Sequence, residues 1–157
     1  MSSVTIDTVI AQVLAVLREG CEGPPEKWSY FTDNTPDAGL FGTLAGCDAA
    51  LASRAVGGTS IAANVHHTAF AMDASAGWIR GERVRLDWKS SWSVKEVDAA
   101  GWAALNARLR SAYQGLRSAI EKNGPGTAES IGEAIGAAAH AAYHLGAIRQ
   151  KLAAVRA

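Results

Sequence analysis

The residues of this chain best suited to chemistry are its four histidines. His140 and His144 stand four apart inside Gly136–Gln150, a stretch with the composition of a helix. That spacing puts both imidazoles on one helical face, about 6 Å apart along the axis. Two imidazoles so placed can share a divalent metal ion if a third ligand arrives from another helix. The other two histidines, His66 and His67, are neighbours in a second helix-like segment. The pattern therefore predicts a three-histidine metal site built from His140, His144 and one of His66 and His67. On a helical wheel each of that pair lies off the Ile61/Val65/Met72 stripe by a similar angle, so periodicity does not choose between them. The HxxxH spacing lacks the glutamate of HExxH and does not indicate a zinc protease.

A buried imidazole needs partners for both ring nitrogens, because an unpaired polar group inside a protein costs roughly 1–3 kcal/mol. A metal at one nitrogen and a carbonyl or carboxylate at the other meets that need. The simpler alternative is a plain bundle in which each histidine hydrogen-bonds to a neighbour. The residues around the pair, among them Gly132, Ala134, Gly136, Ala137 and Ala141, are small. They allow neighbouring backbones to approach and leave room beside the rings for an ion, a water or a substrate. His140 and His144 continue a face through Ala137 and Ile148, so both rings are expected to point into the bundle.

The elements that must position these residues can be read from composition and period. At 157 residues, 48% hydrophobic and 19% charged, the chain fits one soluble domain spanning residues 1–157. Fifteen basic residues against fifteen acidic ones give no basic surplus, which argues against nucleic-acid binding. No apolar run approaches the roughly 18 residues that span a bilayer. The opening Met1–Asp7 lacks the basic and apolar regions of a signal peptide, so a cytoplasmic location is expected. Cys21 and Cys47 show no metal spacing and are expected to be free, structural thiols.

Ile6, Val9, Ile10, Val13, Leu14 and Leu17 mark a first amphipathic helix, stopped by Gly20 and Gly23-Pro24-Pro25. An aromatic loop, Glu26 to Gly39, is expected to pack over the bundle. Leu40 to about Ala55 reads as short helical pieces broken at Gly46, with Asp48 as a cap. Gly57-Gly58 breaks the chain, and Thr59 or Ser60 caps a helix that runs to about Arg80. Leu86–Ser93 is tryptophan-rich and without period. A helix starting between Val94 and Asp98, with Ser93 and Glu96 as its capping box, presents Trp102, Leu105, Leu109, Leu116 and Ile120. Asn123–Gly126 ends it, and a last helix capped by Thr127 runs to Val155. No segment alternates like a strand, so the expected class is all-α, a four-helix bundle without a sheet.

Ser60–Phe70, then Gly81-Glu82, Asp87-Trp88 and Ser91-Trp92, then His140–Ile148 together resemble the DinB/YfiT-like family of metalloenzymes. The HxxYHxG segment is the most specific part. The resemblance implies an up-down-down-up bundle whose metal is held by one histidine of the second long helix and two of the fourth. His67, placed before Thr68-Ala69-Phe70, matches the first ligand, and His140 and His144 match the others. Ala147 departs from the family, which commonly has Gln there. The resemblance also implies relatives that transfer low-molecular-weight thiols such as bacillithiol or mycothiol.

Three imidazoles leave a coordination position open on a divalent ion, as in catalytic zinc sites, and metal-bound water can have its pKa lowered to about 7. The expected function is thus a metal-dependent hydrolase or thiol transferase acting on a small molecule, with Zn, Ni or Fe as the ion and no assigned general base. The alternative is a non-catalytic, stress-related metal-binding protein, as a homodimer through bundle faces. Around the ligands, Asn64 one turn before His67 could support a ligand but is expected at the surface, and Glu133 could be a base or counter-charge but is expected as a solvated first-turn glutamate. Tyr143 and Trp78 could line a pocket but are expected in the core, and Trp88 and Trp92 could form a lid but are expected in a packed crossover.

Overall fold

Polar caps and apolar stripes set the helix boundaries seen in the computed structural model, which describes residues 4–25 and 28–157. Met1–Ser3, read above for a leader, and the first two positions of the Glu26–Gly39 loop lie outside the described residues. Helix α1 spans Ile6–Glu22, and its Thr5 cap accepts from the Thr8 amide at 3.3 Å. It runs through Gly20 and stops where Gly23 takes φ 100°, a conformation open to glycine. A Cβ at Gly23 would also lie 2.4 Å from the Pro36 carbonyl.

The short pieces are α2, Leu40–Ala45, and α3, Ala49–Ser53, the latter capped by Asp48 as expected. A small hairpin follows, Ala55–Val56 pairing antiparallel with Thr59–Ser60, which corrects the expectation of no sheet. Gly57 and Gly58 both take positive φ, 60° and 84°, the requirement of a tight hairpin turn. Two residues per strand are too few to show alternation in the sequence.

Ser60 then caps α4, Ile61–Ile79, accepting from the Ala63 amide at 3.1 Å. The crossover after α4 carries a single 3₁₀ turn at Ser90–Trp92. Helix α5 covers Ala99–Asn123, capped by Asp98 at 2.7 Å from the Gly101 amide. The expected Ser93–Glu96 box does not form, because Ser93 closes the 3₁₀ turn through its own amide while Asp98 abuts the first helical residue. Gly124–Gly126 makes a second 3₁₀ turn into α6, Ala128–Arg156, where Thr127 and Ser130 cap each other reciprocally.

The apolar faces of the four long helices close on one core. Helix α4 lies between α5 and α6, and α1 packs on α6. Leu17, Ile61, Val65, Leu109, Leu116, Ile120 and Ile148 are fully buried there. Side-chain ties fix the helices lengthwise. Arg108 of α5 pairs with Asp73 of α4 at 3.6 Å, Lys151 of α6 donates to the Val56 and Thr59 carbonyls, and Tyr113 donates to Glu22 at 2.9 Å.

Glu19 is 1% exposed and anchors the aromatic loop. Its carboxylate accepts from the amides of Tyr30, Phe31 and Thr32 and from the Thr32 hydroxyl, at 2.7–2.9 Å. The loop is thus tied to α1, although Trp28, Tyr30 and Phe31 remain largely exposed. Cys21 and Cys47 are free and buried, and burial pushes both thiols up, Cys47 to about 11. They are poor nucleophiles at neutral pH. Among the described residues no helix is long and apolar enough to cross a membrane.

Candidate metal centre

Helix α4 presents His67, and α6 presents His140 and His144, to the same point between them. One nitrogen from each ring lies within 4.8 Å of the others. The Nε2 atom of His140 is 3.3 Å from that of His67 and 3.2 Å from that of His144. A tetrahedral ion with metal–nitrogen bonds of about 2.0–2.1 Å needs nitrogens about 3.3–3.4 Å apart. The two separations that involve His140 are already close to that spacing.

The outer nitrogens decide which tautomers occupy the site. The Ser91 hydroxyl gives its one proton to the Trp88 carbonyl at 2.6 Å, so it accepts from His67 Nδ1–H at 2.8 Å. Asn64 gives its amide nitrogen to the Ser60 carbonyl at 2.9 Å, which orients its oxygen to accept from His144 Nδ1–H at 3.2 Å. With both Nδ1 atoms protonated, His67 and His144 each turn a bare Nε2 lone pair inward. At most one proton, on His140 Nε2, is left to serve two facing acceptors. A metal ion satisfies all three.

Burial keeps the rings neutral. It lowers the His67 pKa to about 4, helped by repulsion from His140 and His66. Burial, then repulsion from His140 and His67, lowers His144 to about 3, and burial alone lowers His140. At neutral pH the donor set is three uncharged imidazoles, the protonation state a metal requires. Trp92 stacks on the His67 ring, centroids 4.0 Å apart and planes within 16°, which limits its rotation.

His140 is the half-buried member and opens onto a cavity of about 180 Å³. Met72, Ser75, Trp88, Glu133 and Ala137 line that cavity with it. The small residues of α6 therefore do leave space beside the rings.

All three histidines matched as ligands come together, and of the His66–His67 pair it is His67 that lies in the cluster. His66 points its Nδ1–H at the Ser91 carbonyl, 2.7 Å away, and stays outside the cluster. Asn64 corrects the surface expectation, being 3% exposed and bonded to His144. Tyr143 corrects the core expectation, being 70% exposed with only its ring edge near His144. Trp78 is half-buried and packs toward Trp88, and Glu133 lines the cavity instead of standing in open solvent. Trp92 packs, as expected of the crossover, but against the His67 ring. Ser91 was not foreseen as a partner of the site. The sequence offered it only as part of the Ser91-Trp92 piece of the family resemblance, in a stretch without period.

No family model matches the chain, and neither curated proteins nor solved structures provide a match.

Proposed function

We propose that this chain is a metal-dependent enzyme of the DinB/YfiT-like kind, with His67, His140 and His144 holding one divalent ion. The observation that carries the reading is the pair of locked tautomers. Ser91 and Asn64 occupy the outer nitrogens of His67 and His144 and leave inward lone pairs with too few protons among them. Three neutral imidazoles suit Zn, Ni or Fe. Such an ion, when bound, supplies Lewis acidity and an open coordination position for a small molecule.

The residues of the chain divide the remaining work. Ser91, Asn64 and Trp92 orient the ligands, and the cavity beside His140 admits the substrate while its apolar walls reduce competing water. The reaction class is hydrolysis or transfer of a low-molecular-weight thiol. The helix ties support an up-down-down-up course. The Ser60 cap of α4 donates to the Lys95 carbonyl just ahead of α5, and Lys151 near the end of α6 reaches the Thr59 carbonyl at the start of α4.

Protein purified without a histidine tag, assayed by elemental analysis, should hold about one equivalent of metal, and His144→Ala should hold none. Metal-loaded protein tested on ester, amide and thiol-conjugation substrates should turn over at least one class. Equal turnover by wild type and His144→Ala would remove the metal-centred enzyme.

A further inference from the structure

The cavity beside His140 carries a recognition element at the end away from the histidines. Its walls are mostly apolar, from Ala71, Met72, Trp88, Gly136 and Ala137, and its polar lining groups are Ser75, His140 and Glu133. Glu133 makes no hydrogen bond or ion pair among the described residues, and no Lys or Arg lines this cavity. Glu133 also borders the adjoining groove with Arg83, whose guanidinium is paired with Glu129 at 3.0 Å. A carboxylate without a counter-charge, facing a concave apolar space beside an indole, is a receptor for a cation.

Distance separates this role from that of a general base. Glu133 precedes His140 by seven residues, about 10.5 Å along the helix axis. Helical side chains lean toward the N-terminus, which carries the carboxylate away from the histidines' turn and not toward it. Glu133 therefore does not reach an atom bound at the histidine cluster, but it does reach the far end of a molecule that extends from there.

We propose that the cavity selects a small, extended substrate bearing an ammonium group. Its cation sits between the Glu133 carboxylate and the Trp88 ring, within reach of the Ser75 hydroxyl, and its reacting end faces His140. The assignment of the reacting end rests on the metal reading above; the cation site does not.

The test separates the two. Metal-free protein titrated calorimetrically with hexylammonium, hexanol and hexanoate should bind hexylammonium saturably and the other two at least tenfold more weakly. The Trp88 indole N–H resonance should shift along with the hexylammonium heat. The near-isosteric Glu133→Gln should weaken hexylammonium at least tenfold, and Glu133→Lys should reverse the preference toward hexanoate. Failure of hexylammonium to saturate, equal binding of all three probes, or wild-type affinity in Glu133→Gln would each overturn the cation site. In a second arm, cobalt-loaded protein receives aminohexanethiol or hexanethiol, and the cobalt spectrum reports thiolate coordination. The aminothiol should bind more tightly than hexanethiol, and equal affinity would overturn the shared orientation. If cobalt itself is not retained, the metal reading fails while the amine titration still judges the cation site.

Discussion

Two buried polar clusters sit in this bundle, and they differ in how completely they satisfy themselves. At Glu19 one carboxylate collects three amide protons and a hydroxyl proton from the loop it anchors. Burial would raise its pKa, but those bonds outweigh burial and hold it below the usual carboxylate range. Nothing further is needed there, and the cluster serves as an anchor. At the α4–α6 seam the outer nitrogens of His67 and His144 are equally well served, yet the inner nitrogens face one another short of protons. A closed network stabilises; a network closed only on its outer side has a valence to offer. That contrast, and not burial or polarity alone, separates the structural cluster from the candidate functional one.

The contrast can be broken most directly at a ligand. His144→Ala should weaken zinc binding by well over a hundredfold, because losing an outer-sphere partner alone costs about 10–100-fold; competition with a chromophoric chelator measures it. Retained affinity would mean that the inner nitrogens do not share an ion. At the other cluster, Glu19→Ala should lower stability by about 3 kcal/mol in urea unfolding, since the loop amides lose a charged acceptor, while zinc affinity stays within twofold. A large change in affinity would show that the anchor and the seam are one network.

Between these extremes, Ser91→Ala and Asn64→Ala should each reduce zinc affinity about 10–100-fold without abolishing it. His66→Ala, which removes a ring hydrogen-bonded to the Ser91 carbonyl outside the cluster, should cost less than about threefold, below the effect of losing a direct partner of the rings. The smallest effect is in pH. The folded pKa of Glu19 lies below its unfolded value, so the unfolded chain binds the extra proton as pH falls. The stability difference between wild type and Glu19→Gln should be complete above about pH 4.3 and shrink as pH drops through the depressed folded value. Urea midpoints measured across that range check the sign.

Much of the scaffold was legible because it rests on local rules. The four long helices follow from period, and Thr127, Ser60 and Asp48 act as the caps their positions imply. The HxxxH pair was legible for the same reason, since its geometry is internal to one helix. What escaped depends on contacts between elements. Whether His66 or His67 faces inward is decided by the crossover that brings Ser91 and Trp92 against α4, a segment with no repeating pattern. Asn64 looks like a surface residue until α6 is set beside it. Glu19 likewise shows its purpose only after residues 30–32 fold back across α1.

The cross-bracing of α4 and α6 has a mechanical consequence. Each helix contributes histidines to the cluster, and α4 also supplies Asn64, the side chain that steers His144 of its partner. Sliding one helix past the other by a single residue would move these groups about 1.5 Å, whereas a coordination site tolerates roughly 0.5 Å. The seam therefore behaves as a keyed joint: an insertion or deletion inside either helix would uncouple its halves, and so would one in the crossover that carries Ser91 and Trp92, while changes in the length of the other loops would pass unnoticed.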